Sequence, residues 1–142
     1  MVSTDIYLHF AGNSKEAFDF YKTVFGGEFI EAKRYGDMPG GEKMNGEDGK
    51  KMMHISLRLS PSTVLMASDV LSAEHAGLKY GSNFHICLQA ESEKEANQLF
   101  NKLSKDGKIE MPMNKTFWGA YFGQCKDRFG LMWMINFQQS NN

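Results

Sequence analysis

The feature that most constrains this chain is that its pattern occurs twice. Lys15-Glu16-Ala17 aligns with Lys94-Glu95-Ala96 at an offset of 79 (94 − 15), and Phe20, Tyr21 and Val24 then fall on Leu99, Phe100 and Leu103. The segment before each triplet follows suit, residues 6–11 lying over residues 85–90. Missing a repeat mis-assigns a whole fold, so this one comes first. Each copy opens with alternating residues and then a helix start: Asn13 with Glu16 three residues on, and Ser92 with Glu95, both with capping-box spacing. Helices over 14–25 and 93–103 place Ala17, Phe20, Tyr21, Val24 and Phe25, and then Ala96, Leu99, Phe100 and Leu103, on single apolar stripes. Gly26-Gly27 and Gly107 supply stops.

Three extended segments follow each helix: 28–35, 52–59 and 63–69 in the first copy, and 108–113, 118–125 and 131–138 in the second. Turn chemistry at Pro61-Ser62 and from Asp127 to Gly130 joins the later ones. The expected fold class is α+β: two tandem βαβββ modules, residues 5–69 and 83–138, building a cupped mixed sheet with helices outside, all within one domain. Residues 70–81 connect them. The copies differ mainly by an insertion at 36–51, rich in glycine and charge, which reads as either a disordered segment or a lid.

Composition narrows the partners. Sixteen basic residues against seventeen acidic ones give a formal charge of −1, so no basic stripe suggests nucleic acid. No apolar run reaches the ~18 residues of a membrane helix, and no secretory leader is visible. Cys87 and Cys125 form neither a disulfide framework nor a metal knuckle, so a cytoplasmic chain with reduced thiols is expected.

Residues 7–13 (Tyr-Leu-His-Phe-Ala-Gly-Asn), 36–39 (Gly-Asp-Met-Pro), 107–111 (Gly-Lys-Ile-Glu-Met), 116–118 (Thr-Phe-Trp) and 127–136 (Asp-Arg-Phe-Gly-Leu-Met-Trp-Met-Ile-Asn) resemble the PhnB-like branch of the vicinal oxygen chelate superfamily, the glyoxalase/bleomycin-resistance/dioxygenase fold. The resemblance spans nearly the whole chain. It implies a homodimer of undetermined biochemical role. Some members carry the label 3-demethylubiquinone methyltransferase, but no glycine-rich strand-to-helix turn of the dinucleotide kind is present here.

In metal-using members two ligands come from the first strands of the modules and two from the last. Carried over by position, these become Ile6, His85, Met66 and Met134, of which only His85 is a conventional ligand for a divalent ion. A Met-Met-His set suits Cu(I) on softness alone; filling gaps in packing is the plainer role for the methionines. No metal or cofactor is therefore expected. Alternation puts Ile55, Leu57 and Leu59 under a helix and His54, Ser56 and Arg58 in the cup. By the same parity His85, Cys87, Gln89, Met132, Met134 and Asn136 face the cup. Ile6, Leu8 and Phe10 are assigned there too, which puts His9 beneath the first helix. His75, in the connector, is expected to meet only solvent or a dimer partner.

The expected ligand-binding set is thus His54, Arg58, Met66, His85, Gln89, Met134 and Asn136, around a small organic molecule. Arg58 either anchors a carboxylate or phosphate or simply reaches solvent. Phe117, Trp118, Tyr121 and Phe122 form an aromatic cluster. Two alternatives stand beside metal-free binding: a metal-dependent lyase or dioxygenase drawing on His54, His85 and Glu110 or Asp69, and a drug-sequestering protein.

Overall fold

The computed structural model describes residues 1–44 and 46–139. The chain divides into two compact units, residues 1–79 and 80–142, each built around one helix on a four-stranded mixed sheet.

In the first unit the order is β1 (Ile6–Phe10), α1 (Ser14–Phe25), β2 (Glu28–Arg34), a short helix α2 (Gly46–Lys50), β3 (Met52–Ser60) and β4 (Thr63–Asp69). The strands lie in the order β1-β4-β3-β2, with β1 and β4 parallel and the other pairs antiparallel. Phe10, Phe18 and Tyr21 are buried with Ile55, Leu57, Leu65 and Ala67, the rings of Phe18 and Tyr21 meeting edge-on at 5.7 Å. The second unit repeats the plan with β5 (Ile86–Gln89), α3 (Glu93–Ser104), β6 (Lys108–Lys115), β7 (Ala120–Lys126) and β8 (Met132–Gln138), ordered β5-β8-β7-β6. Its core holds Ala96, Leu103, Cys125, Trp133 and Ile135. No helix among the described residues is long and apolar enough to cross a membrane.

The repeat slips by one residue between strand and helix. Ala17 and Ala96, 79 apart, are both fully buried under their sheets. In the first strands, however, Tyr7 pairs with Met66 as Cys87 pairs with Met134, an offset of 80 (87 − 7). The expected parity of β1 is therefore reversed. Phe10 is buried against α1, while Tyr7 and His9 are exposed on the opposite face. The physical reason is the ordinary one: the apolar set Ile6, Leu8 and Phe10 goes under the helix, whatever the alignment of the copies.

The helix ends also differ from expectation. Asn13 makes no side-chain cap; the carboxylate of Asp69, at the end of β4, accepts from Gly12 N, Ser14 N and Met52 N at 3.2, 2.9 and 2.8 Å. Ser92 does cap α3, accepting from Glu95 N at 3.0 Å. Gly26 ends α1 in the left-handed region at φ 71°, but after α3 it is Asp106, at φ 59°, that takes that conformation. Gly107 and Gly27 serve close approach instead: a Cβ would sit 2.2 Å from the Lys126 carbonyl oxygen and 1.7 Å from that of Arg58.

The described residues of the insertion are folded. It winds through two 3-10 turns, 35–37 and 41–43, and α2, and it is tied down at both ends. Tyr35 Oη donates to the Asp69 carbonyl at 3.0 Å, and Arg34 donates to the Lys50 carbonyl. Asp48 accepts from Ser72 N, Ser72 Oγ and Lys51 Nζ at 3.1, 2.7 and 3.0 Å. Lys51 Nζ also meets Ser72 Oγ and His75 Nε2, both at 3.1 Å, so His75 does not stand free in the connector.

Two outcomes follow from these anchors. Asp69→Ala strands three backbone donors, two of them buried, and should destabilise the chain by roughly 3 kcal/mol or more, since each buried donor left unpaired costs about 1–3 kcal/mol; the shift in urea midpoint measures it. The hydroxyl and backbone N–H of Ser72, with the Lys51 ammonium, hold the Asp48 carboxyl down at about 2. Its folded value lies below the ordinary 3.8, so its contribution is complete above about pH 4 and fades as pH falls toward 2. Protection factors of the amides in residues 46–51, taken against intrinsic rates at each pH, should fall over that window in the native chain and stay constant in Asp48→Asn.

Candidate functional site

Each unit buries one face of its sheet beneath a helix and leaves the other to carry chemistry. Register lays those faces out as rows. In the first unit Tyr7, Met66, Ser56 and Glu31 stand side by side across β1, β4, β3 and β2, and His9 beside Ser68 and Lys33 beside His54 continue the pattern. In the second unit the matching row is Cys87, Met134, Gln124 and Met111, flanked by Gln89, Asn136, Phe122 and Asn114. Met66 and Met134 hold equivalent places, each half-buried.

On the first face the Tyr7 hydroxyl lies 3.3 Å from His54 Nδ1, and His54 Nε2 is 3.7 Å from Glu31 Oε2. The Tyr7 ring sits between the two imidazoles, 5.4 Å from His9 and 5.7 Å from His54. Glu31 is ion-paired with Lys33, and chiefly for that reason its carboxyl stays below the usual range. Arg58 lies apart from this group. It is exposed near the end of β3, with Nη1 3.5 Å from the Pro61 carbonyl.

The second face joins two smaller chains. His85 Nε2 is 3.1 Å from Glu110 Oε1, and the pair is sheltered, with 16% and 29% of the side chains exposed. Asn136 Nδ2 donates to Gln89 Oε1 at 2.8 Å, and Gln89 Nε2 to Cys87 Sγ at 3.4 Å. Beside these rows, Met111, Met113, Phe117, Trp118 and Phe122 line a groove of about 380 Å³ together with Asn114 and Lys115. A tight turn at 116–119 produces it. Thr116 Oγ1 binds both the N–H and the carbonyl of Ala120, Gly119 takes φ 88°, and Trp118 leaves the strand expected for it. The aromatic cluster is split, since Tyr121 turns to the helix side and donates to Asn97 Oδ1 at 2.7 Å.

Several expectations change here. The first-strand residue facing outward is Tyr7, not Ile6, and His9 joins it. Asp69 is occupied as an anchor and cannot serve as a metal ligand. Sequence reasoning missed Tyr7, His9 and Glu31, and also the groove-lining Met111 and Met113; the apolar character of Ile6, Leu8 and Phe10 was the available signal for the first two. Among the described residues no group of three or more His, Cys, Asp or Glu side chains is placed to hold a metal ion. The best donor sets are pairs, His85 with Glu110 and His54 with Glu31, bordered by thioethers and a phenol. The three or four charged or imidazole donors of a divalent centre are not met.

The thiols contrast in the same way. Burial raises both, and Cys125, next to Asp127 and Glu110 as well, is pushed up to about 12. A thiol reagent should therefore modify one cysteine of the native protein, Cys87, slowly at neutral pH and faster as pH rises. Cys125 should react only after unfolding, and Cys87→Ser should abolish native labelling.

A sequence profile of the glyoxalase/bleomycin resistance protein/dioxygenase superfamily matches residues 5–135. The chain is 33% identical over 138 residues to protein YjdN of Escherichia coli K12, covering 92% of this chain and 91% of that protein. It is 37% identical to the crystal structure of PA1353 from Pseudomonas aeruginosa, with a TM-score of 0.82 and 99% and 100% of the two chains covered. The PhnB protein from Bacillus cereus shares the fold at 24% identity and a TM-score of 0.78, with 96% and 99% covered.

Proposed function

Because this chain belongs to the glyoxalase/bleomycin resistance protein/dioxygenase superfamily, we propose that it is a PhnB-like small-molecule-binding protein that works without the metal centre of related enzymes. The carrying observation is the groove beside the second sheet face, where thioethers and aromatic rings provide a concave apolar seat while the nearest His–carboxylate donors come only in pairs. Ligand sites are mostly apolar concavities with few oriented polar groups, and this one matches that description. Trp118 and Phe122 take the flat part of a ligand. His85, Gln89 and Asn136 supply the polar edge of the same sheet face, with Met134 an apolar filler between them.

On the first unit, His54 and Met66 offer a second polar-edged surface, and Arg58 offers a planar fork for an anionic group. The drug-sequestering alternative draws on one observation, the adjacent exposed rings of Phe117 and Trp118, which meet edge-on at 4.9 Å. A planar cation would stack on such rings. Self-association as a homodimer in a reducing cytoplasm belongs to the same reading; sedimentation velocity reads the first part.

Titration with planar aromatic carboxylates and cations should quench Trp118 emission saturably, identically before and after exhaustive chelation. Met111→Ala should weaken every such ligand by about tenfold, the equivalent of roughly 1.4 kcal/mol of lost apolar contact. Arg58→Ala should weaken carboxylate binding on the first sheet face, read by calorimetry, and leave Trp118 quenching unchanged. Purified protein holding one divalent ion per chain, whose removal abolishes binding, would overturn the metal-free reading.

A further inference from the structure

The first unit carries three linked side chains that apolar binding in the groove does not use. Glu31 is an acceptor only, paired with Lys33, and its Oε2 lies 3.7 Å from His54 Nε2, at ion-pair rather than hydrogen-bond distance, so its negative field favours the tautomer with hydrogen on Nε2. Nδ1 is then bare and directed to the Tyr7 hydroxyl at 3.3 Å. The chain runs from an exposed phenol, 44% accessible, through a half-buried imidazole to a carboxylate. Orientation of an imidazole by a carboxylate on one nitrogen, with a hydroxyl on the other, is the arrangement that lets histidine accept a proton without leaving a bare charge. Met66 beside Tyr7 and the His9 ring, 5.4 Å away and tilted 43°, add flat and apolar walls.

We propose that Tyr7, His54 and Glu31 form a proton relay that ionises the hydroxyl of a phenol or enol bound on the first sheet face. The ligand O–H bond gives its proton to the Tyr7 oxygen as the Tyr7 proton passes to His54 Nδ1. The ligand is left as an oxyanion hydrogen-bonded by Tyr7, and the imidazolium faces Glu31. No electrons leave the system and no other reactant is required. The chemical class follows from where the proton ends: it rests on an imidazole, so the hydroxyls that can give it up are those whose acidity comes nearest to that group, acidified phenols and enols. Carboxylic acids arrive already ionised, and aliphatic alcohols hold their protons too firmly.

The relay rests on the reading that a sheet face of this chain takes small molecules, and the test separates the two. The probe is 4-hydroxybenzaldehyde, whose phenolate absorbs at longer wavelength, added at a pH below its own ionisation. The phenolate band should grow saturably with native protein and be lost with Tyr7→Phe and with His54→Gln. Nitrogen-15 NMR should show His54 protonated at Nε2 in the native chain and as mixed tautomers in Glu31→Ala. Absence of the band, or its survival in Tyr7→Phe, overturns the relay; Trp118 quenching without any band overturns it while leaving metal-free binding in place.

Discussion

Everything chemical on this molecule depends on how each sheet divides its residues between two faces. A strand sends successive side chains to opposite sides, so the apolar set that packs beneath a helix determines which residues remain outside. In the first unit Phe10, Ile55, Leu57, Leu65 and Ala67 go under α1. Tyr7, His9, His54, Ser56 and Met66 are thereby committed to the other face as one group. In the second unit Ile86, Cys125, Trp133 and Ile135 do the same under α3, committing Cys87, Met134 and Gln124. The polar surface is thus a consequence of core packing, and moving one residue in register would exchange the two.

That packing is secured at the strand ends by buried carboxylates that accept hydrogen bonds from backbone N–H groups. Asp69 takes three backbone donors from the loop before α1, the helix start and the start of β3. Asp127 does the equivalent in the second unit, accepting from Phe129 N and Leu131 N at 2.8 and 3.1 Å and from the Trp133 indole at 2.8 Å. A charge placed in a hydrogen-bonded cradle satisfies its own solvation need and that of the backbone around it. The insertion uses the same device at Asp48, which explains how sixteen glycine- and charge-rich residues come to have a defined path in their described part.

With these carboxylates occupied, the outer faces carry two histidine–glutamate pairs among their described residues, together with Lys33, His9 and Cys87, and the binding proposed above is built on that set. The groove and the Tyr7–His54–Glu31 chain draw on that one residual chemistry in two units of the same design. A duplicated fold can diverge in this way because the helix and sheet core tolerate any polar face that does not enter it.

The repeat, the βαβββ order and the outward parity of His54, His85, Gln89, Met134 and Asn136 were legible in the amino-acid sequence because periodicity is local and each strand alternates on its own; the superfamily was carried by short motifs that resemble its PhnB-like branch. Tertiary structure alone decided the anchor role of Asp69 and the splitting of Tyr121 from Trp118. The face of β1 was open to the apolar alternation of Ile6, Leu8 and Phe10, which the alignment of the two copies, one residue out of step in the strand, had overridden. Asp69 and Glu31 acquire their meaning from partners tens of residues away, and the groove exists because a four-residue turn lifts Trp118 out of its strand. Sequence determined what could be buried; the fold decided which leftover side chains would meet.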